Sequence, residues 1–336
     1  MSTPQNILVN LPPTFFTDQR LAKHRQRLDQ SGEVRIRSHN TLDEIMPDLP
    51  ASEAIFMWAW PVLKQEHLQQ APRLRFMGQI NTTKTTVKAC LSLGIALSEV
   101  RACWSPAVAE MALALALAGL RRTSEYHCAM RSGQESWVNQ FPADIDGRER
   151  QLTGRTVGIV GFGGIGQRLA ELLQPFNVRL QVYDPFIPEA AIQAKNAQRT
   201  DLDVLISSSE VIVLCATNHE SARGMINCTR IMAMPKDAVL VNVGRSMLVD
   251  MPALQERLTK GDLIAMLDVF DREPLEVDSP FRSLPNTYLT PHRAGGLIES
   301  VDRALTWLID DFEAYLAGKP LRFGVTEAML PSFPEG

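Results

Sequence analysis

The sequence is poor in cysteine, lacks a charge excess of either sign and contains no long apolar run. Its five cysteines include no CxxC pair, which argues against a disulfide framework or a zinc site. The net charge is −4 and no long segment carries charges of one sign, so the sequence does not indicate a basic surface that would bind nucleic acid. The longest apolar run, Met111 to Leu120, is about half of a membrane span, and the first ten residues do not resemble a secretory signal. We therefore expect a cytoplasmic protein that binds no metal, nucleic acid or membrane.

The length and the pattern of apolar segments indicate two α/β domains. A chain of 336 residues with 45% hydrophobic residues is long for a single core. Short apolar segments alternate with helical ones throughout, which is typical of parallel sheets covered by helices. Residues 123–153 are polar and irregular, and we expect them to pack on a second subunit. Pro331 to Gly336 are expected to form a loose tail.

A glycine-rich segment after a predicted strand indicates a dinucleotide site. The apolar run Val157 to Val160 leads into Gly161-Phe-Gly163-Gly164-Ile165-Gly166 and then into a helical pattern. The first glycine permits the tight turn, the second lets the backbone approach a pyrophosphate, and the third lets the helix pack closely on the strand. The start of the helix offers N–H groups and its positive dipole end to the phosphates.

The next predicted strand, Leu180 to Tyr183, ends in Asp184. An acid about twenty residues after the glycines is placed to accept hydrogen bonds from an adenosine ribose. Because this carboxylate would repel a 2′-phosphate and no arginine follows it directly, we expect NAD rather than NADP as the cofactor.

Three later strands are each followed by a polar side chain suited to acid–base chemistry. Arg245 follows Ala238 to Asn242, Glu273 follows the strand that reaches Asp268, and His292 follows Thr287 to Leu289. The carboxyl ends of parallel strands share one edge of a sheet, where ligands bind. There Arg245 can hold a carboxylate, His292 can exchange a proton with a carbonyl oxygen, and Glu273 can fix the imidazole tautomer.

The segments LTGRTVGIVGFGGIG, LVNVGRSMLVDMPAL, AMLDVFDREPL and NTYLTPHRAGG resemble signature blocks of the D-isomer-specific 2-hydroxyacid dehydrogenase family. The resemblance implies two Rossmann-like domains. One is an NAD-binding doubly wound parallel sheet over residues 104–294. The other is a flavodoxin-like substrate domain split between residues 1–103 and 295–336. The resemblance also implies a homodimer formed through residues 105–150.

The same resemblance assigns roles to individual residues. It matches Arg245, Glu273 and His292 to the catalytic set, Asp184 to the ribose acid and Asp268 to the acid that binds the nicotinamide carboxamide. It implies further cofactor contacts at Thr217, Val243, Gly244 and Gly295, and substrate contacts at Ile80, Asn81 and Lys84.

Two segments depart from the family pattern. In the loop Gln79 to Thr86 the expected glycine is Asn81, and Lys84 has entered. Lys84 either supplies a second positive charge for an acidic substrate or is a solvated surface lysine. Trp58 and Trp60 stand where related enzymes carry an arginine, and they either line a pocket for a larger substrate or pack in the core.

The expected function is the NAD-dependent interconversion of a 2-oxo acid and a (D)-2-hydroxy acid, with a small-molecule acid as the partner. Glutamate at position 273 disfavours formate as the substrate, since formate dehydrogenases carry glutamine there. One alternative is an unusual hydride donor or acceptor such as phosphite. The other is an NAD(H)-sensing binding protein similar to the family's corepressors.

Overall fold

The computed structural model describes residues 5–217 and 219–335. The first four of the ten N-terminal residues, which do not resemble a secretory signal, lie outside the described residues. The chain divides into two compact units. The first comprises residues up to Cys103 and from Leu297 onward, and the second is Trp104–Gly296. Gly295 belongs to the second unit, two residues beyond the boundary that the sequence suggested. Gly295 lies against a residue of this unit, since a Cβ placed on it would be 3.3 Å from Val108 Cγ2.

The first unit contains a five-stranded parallel sheet in the order β2-β1-β3-β4-β5. This is the flavodoxin-like order that the sequence led us to expect. Its strands are β1 Gln5–Asn10, β2 Gly32–Arg37, β3 Ala54–Met57, β4 Phe76–Gln79 and β5 Ala96–Glu99.

The second unit contains a seven-stranded parallel sheet in the order β12-β11-β10-β9-β6-β7-β8. Its strands are β6 Thr156–Val160, β7 Arg179–Tyr183, β8 Gln198–Arg199, β9 Val211–Leu214, β10 Ala238–Asn242, β11 Leu263–Leu267 and β12 Thr287–Leu289. The order reverses between β6 and β9, so the chain has its topological switch point at the end of β6, where doubly wound folds bind nucleotides. The central strands β6, β9, β10 and β11 are buried along their whole length, as expected for apolar runs covered on both faces.

The helices of the described residues cover both sheets. In chain order they are α1 Thr14–Thr17, α2 Ala22–Ser31, α3 Leu42–Ile45, α4 Gln65–Leu68, α5 Lys84–Ser92, α6 Ser105–Leu120, α7 Thr123–Ser132, α8 Gly164–Leu173, α9 Glu189–Gln193, α10 Leu202–Ser208, α11 Cys228–Ala233, α12 Met251–Thr259 and α13 Ile298–Leu316.

One apolar stretch is longer than the sequence analysis counted. Residues 101–120 are long and apolar enough, by composition alone, to cross a membrane. Within this stretch α6 packs on α8, β10 and β11 of the second unit, and more than half of the stretch is buried. Packing in the core of the unit accounts for its apolar composition.

Two segments are more regular than expected. Residues 123–153 begin with helix α7, which local composition does not indicate because most of its residues are polar and none is buried. The expected loose tail is also wrong, since the Phe333 side chain is fully buried in the core of the first unit and the Arg101 guanidinium lies 4.6 Å from the centre of its ring. These contacts join residues distant in sequence, so local composition does not reveal them.

Candidate cofactor and catalytic site

The loop between β6 and α8 has the geometry of a phosphate-binding turn. Gly161 has φ of +92°, and a Cβ on it would lie 2.5 Å from the Ala216 nitrogen, so only glycine fits. A Cβ on Gly166 would lie 2.4 Å from the Gly161 oxygen, which explains the close packing of α8. A Cβ on Gly163 would meet nothing within 4 Å, so open space lies beside the N-cap residue of α8. The loop therefore fits a pyrophosphate at a helix N-terminus.

Asp184, at the end of β7, also stabilises the loop. Its Oδ2 accepts a hydrogen bond of 2.6 Å from the Phe162 backbone N–H. Its Oδ1 accepts bonds from the backbone of Phe186 (2.9 Å) and Ile187 (3.1 Å). An ionised carboxylate has about four acceptor positions, so the geometry leaves room for about one further donor such as a ribose hydroxyl. The sequence motif predicted the acid but not its bonds to the two loops.

His292 and Glu273 are in direct contact. The His292 Nδ1 lies 2.7 Å from Glu273 Oε2, and Glu273 Oε1 accepts a bond of 3.1 Å from the Phe270 N–H. Partial burial raises the pKa of Glu273, but the hydrogen bonds from His292 and Phe270 outweigh it and hold that pKa below its ordinary value. The carboxylate is therefore ionised at neutral pH and can support a protonated imidazole.

The backbone that carries His292 adopts an uncommon conformation. His292 has φ of +51°, which is rare for residues other than glycine and often marks functional sites. Asp268, only 1% exposed, holds this turn: its backbone oxygen accepts the His292 N–H at 2.9 Å. Its carboxylate accepts the N–H groups of Arg293 (2.9 Å) and Ala294 (3.0 Å). Asp268 thus stabilises the loop of the candidate proton donor, a role that the sequence did not reveal.

Arg245 follows β10 in an extended conformation. Its Nη1 donates a bond of 2.6 Å to the Gly244 oxygen, and its own carbonyl accepts the Asn242 side-chain amide at 3.0 Å. The side chain is solvent-exposed, yet the surrounding protein partly desolvates the guanidinium and lowers its pKa, an effect that the charge of Glu273 opposes. Arg245 is thus electrostatically coupled to the Glu273–His292 pair.

The remaining cofactor candidates lie in the second unit near the carboxyl ends of its strands or, for Ile165, in the first turn of α8. Thr217 is exposed in the loop after β9, and Gly295 is partly exposed after β12. Val243 and Gly244 are buried just beyond β10, where the Gly244 N–H donates to the Asn242 side chain at 3.1 Å. Ile165 is half-buried.

The substrate candidates of the first unit occupy the loop between β4 and α5. Ile80 is fully buried, and its N–H donates to the Met57 oxygen at 3.1 Å, so this amide is already used. Asn81 is partly exposed, and Lys84 forms an ion pair with Glu335. The Thr82 hydroxyl, which sequence reasoning did not single out, is buried without a hydrogen-bond partner among the described residues. A buried unpaired hydroxyl is costly and suits a ligand contact.

Trp58 and Trp60 follow β3 in the first unit. Their rings stack with centroids 5.5 Å apart and an angle of 3°, and Phe15 meets Trp58 at 6.2 Å. Trp60 is half exposed. The two indoles thus form a cluster at the surface of the unit rather than part of its buried core.

The chain is similar to known proteins over most of its length. Residues 113–294 match the family model described as D-isomer specific 2-hydroxyacid dehydrogenase, NAD binding domain. The chain is 33% identical over 301 residues to a glyoxylate/hydroxypyruvate reductase B of Pectobacterium carotovorum, covering 88% of this chain and 92% of that protein. It is 26% identical over 296 residues to a D-3-phosphoglycerate dehydrogenase of Methanocaldococcus jannaschii, covering 87% of this chain.

The second of these relatives is much longer, and the chain spans only 55% of its length. A solved structure of a phosphoglycerate oxidoreductase from Rhizobium etli superposes with a TM-score of 0.82 over 97% of this chain and 99% of that chain. At 23% identity this likeness concerns the fold. The match to the NAD-binding model over more than half of the sequence, together with the 33% identical relative, assigns the chain to the D-isomer-specific 2-hydroxyacid dehydrogenase family.

Proposed function

We propose that the chain catalyses the NAD-dependent interconversion of a 2-oxo acid and a (D)-2-hydroxy acid. The observation that carries the proposal is the 2.7 Å contact between His292 Nδ1 and Glu273 Oε2 in an NAD-binding domain. An imidazole held through one nitrogen by an ionised carboxylate is poised to exchange a proton at the other.

The residues of the second unit have separate roles in the proposed reaction. NADH, when bound by this unit, would supply the hydride for the carbonyl carbon. His292 gives the proton to the carbonyl oxygen from Nε2, since Nδ1 is engaged by Glu273. Arg245 holds the substrate carboxylate and polarises the carbonyl group through its fixed donors. In the reverse reaction His292 takes the hydroxyl proton, and Glu273 stabilises the imidazolium that results.

The residues proposed to hold NAD are those of the loop after β6, with Asp184 toward the ribose and Asp268 toward the nicotinamide. In the first unit we propose that Asn81, Thr82 and Lys84 contact the substrate. The buried, unpaired hydroxyl of Thr82 supports this assignment.

The test is the initial rate of NADH oxidation with a panel of 2-oxo acids: glyoxylate, hydroxypyruvate, pyruvate, 2-oxoglutarate and phenylpyruvate. We expect turnover of at least one, lost in His292→Ala. A parallel assay with phosphite and NAD⁺ checks the alternative hydride donor. Absence of turnover across the panel by a protein that still binds NADH would overturn the proposal and favour phosphite oxidation or a binding role, according to the phosphite assay.

We also propose a homodimer formed through residues 105–150. This segment exposes several large apolar side chains that a solvated surface rarely carries together: Met130, Trp137, Val138, Phe141 and Ile145. Sedimentation analysis should give twice the monomer mass for the wild type and a monomer for Trp137→Glu combined with Phe141→Glu. Val204→Glu, at an exposed apolar side chain of α10, is the matched control and should leave the dimer intact. A monomeric wild type would refute this assembly.

We further propose that the protein acts in the cytoplasm. No disulfide joins the cysteines of the part of the chain that the structure describes, and Cys90, Cys103 and Cys215 are buried. This pattern suits a reducing compartment.

A further inference from the structure

Lys84, the first residue of α5, is held by a segment of the first unit that is distant in sequence. Its backbone N–H donates to the Pro334 oxygen at 2.7 Å, and its ammonium group forms an ion pair with the Glu335 carboxylate. The Lys84 side chain is 21% exposed, whereas that of Glu335 is 67% exposed. Two neighbouring residues thus give Lys84 both a backbone contact and a charged contact.

The segment that carries Glu335 is fixed by contacts of its own. The Phe333 ring is fully buried in the core of the first unit, with the Arg101 guanidinium 4.6 Å from its centre. The same guanidinium donates bonds of 3.3 Å to the backbone oxygen and to the hydroxyl group of Ser332. The position of Glu335 beside Lys84 therefore depends on the packing of the residues before it, and not on an exposed ion pair alone.

We propose that Glu335 makes the site select 2-oxo acids whose side chain carries no second negative charge. The inference rests on the proposed function, in which Lys84 contacts the substrate. A lone ammonium group there would attract a second carboxylate, but the Glu335 carboxylate supplies the opposite charge and leaves the pair nearly neutral. Glu335 is thus a positioning residue that acts through Lys84, and it disfavours a dicarboxylic acid.

The loop itself does not replace the positive charge that Glu335 neutralises. Lys84 is the one charged residue between Gln79 and Thr86. Asn81 and Thr82, the other residues proposed to contact the substrate, are uncharged and offer hydrogen bonds only. With Lys84 paired, the loop suits a neutral substituent on the 2-oxo acid, and Lys84 is neither a second positive charge for an acidic substrate nor a solvated lysine.

The test is isothermal titration calorimetry of the protein saturated with NAD⁺, using 2-oxoglutarate and 2-oxohexanoate. The two acids are similar in size, but only the first has a second carboxylate. Neither can give a hydride to NAD⁺, because C2 is already a carbonyl carbon. We expect the wild type to bind 2-oxohexanoate more tightly. Glu335→Gln should lower the Kd for 2-oxoglutarate about fivefold, the upper range for an exposed ion pair, and change the Kd for 2-oxohexanoate by less than about twofold.

The controls separate charge from packing. Glu327→Gln removes an exposed carboxylate from the short helix Glu327–Ser332 of the same unit, and it should change neither constant. Glu335→Asp keeps the charge and should bind both acids much as the wild type does. The gain in Glu335→Gln should shrink in about 1 M salt, where charges are screened over about 3 Å, whereas an effect of packing would persist.

Two kinds of failure can be told apart, because these constants do not depend on turnover. Tighter binding of 2-oxoglutarate than of 2-oxohexanoate by the wild type would overturn the proposal. Equal changes of the two constants in Glu335→Gln, a gain that salt does not reduce, or failure of both proteins to bind either acid would also overturn it. Absence of turnover in the panel of 2-oxo acids would instead refute the proposed reaction.

Discussion

The hydroxyl group of Thr290 donates a hydrogen bond of 2.5 Å to Asp268 Oδ1, two residues before His292. The same carboxylate accepts the backbone N–H groups of Arg293 and Ala294 on the other side of the histidine. Asp268 therefore closes a short loop from both ends, with His292 at its centre in a left-handed conformation. The position of the candidate proton donor depends on a buried carboxylate rather than on its own side-chain contacts alone.

Replacing Thr290 by valine tests this relationship. Valine keeps the branched shape but removes the donor, so we expect the free energy of unfolding to fall by about 1–3 kcal/mol, as for a hydrogen bond to a charged group. Turnover should fall as the loop relaxes, while the Kd for NADH changes little. Urea unfolding and steady-state kinetics measure the two effects. Thr290→Ser keeps the hydroxyl group, so its free energy of unfolding and its turnover should be close to those of the wild type. Wild-type turnover in Thr290→Val would show that the hydrogen bond does not position His292.

His292→Ala should lower kcat by roughly 10²–10⁴, the usual contribution of a positioned general acid. Its Kd for NADH should stay near the wild-type value, because no cofactor contact is assigned to the imidazole. Val277→Ala, at an exposed apolar side chain of the same unit, is the control and should leave kcat and the Kd for NADH unchanged. Comparable kcat in wild type and His292→Ala would refute the proton-donor role.

Glu273→Gln should change the pH dependence of 2-oxo acid reduction. Partial burial raises the pKa of Glu273, but the hydrogen bonds from His292 and Phe270 outweigh it, so in the wild type the carboxylate stays ionised through the ordinary titration range of glutamate. Glutamine keeps the shape and removes the titrating group. An acid limb of the wild-type pH–rate profile that reports protonation of Glu273 should therefore lie below 4.5 and be absent in Glu273→Gln, whose kcat should be lower at neutral pH. The same acid limb in both proteins would contradict this role of Glu273.

The sequence predicted best what depends on local chemistry. The bounds of the predicted strand Ala238 to Asn242 agree with the structure because a fully buried parallel strand requires an apolar run of that length. The spacing of the glycines reflects contacts with neighbouring backbone, so the motif alone located the turn.

What the sequence could not predict depends on contacts between distant residues. The Asp184 motif suggested one ribose contact, whereas the carboxylate also binds the backbone at Phe162 and Phe186. Most residues in the core cluster of Phe333 lie far from it in sequence, so a periodic pattern of apolar residues could not predict its burial. The Lys84–Glu335 ion pair is of the same kind, and it was not among the two interpretations of that lysine.

Glu99, at the end of β5 in the first unit, is an ionisable group buried to all but 8%. Burial raises its pKa to about 7, although the charge of Arg101 and a bond of 3.2 Å from the Arg101 N–H partly oppose the shift. Between its ordinary pKa and 7 the folded protein therefore binds more protons at this site than the unfolded chain does. The free energy of unfolding must fall as the pH rises through that interval.

Glu99→Gln should remove this dependence, since glutamine does not titrate and can still accept the Arg101 N–H. From the difference between about 7 and the ordinary value of 4.5, we expect the variant to gain about 3 kcal/mol over the wild type between pH 4 and pH 8. Glu53→Gln is a control of opposite sign, because the Asn6 N–H and Arg73 outweigh burial and lower the pKa of Glu53. That variant should lose stability relative to the wild type as the pH rises toward 4.5, the ordinary value for glutamate, with no further change above it. Urea unfolding at several pH values measures both, and parallel curves for wild type and Glu99→Gln would show that Glu99 titrates normally.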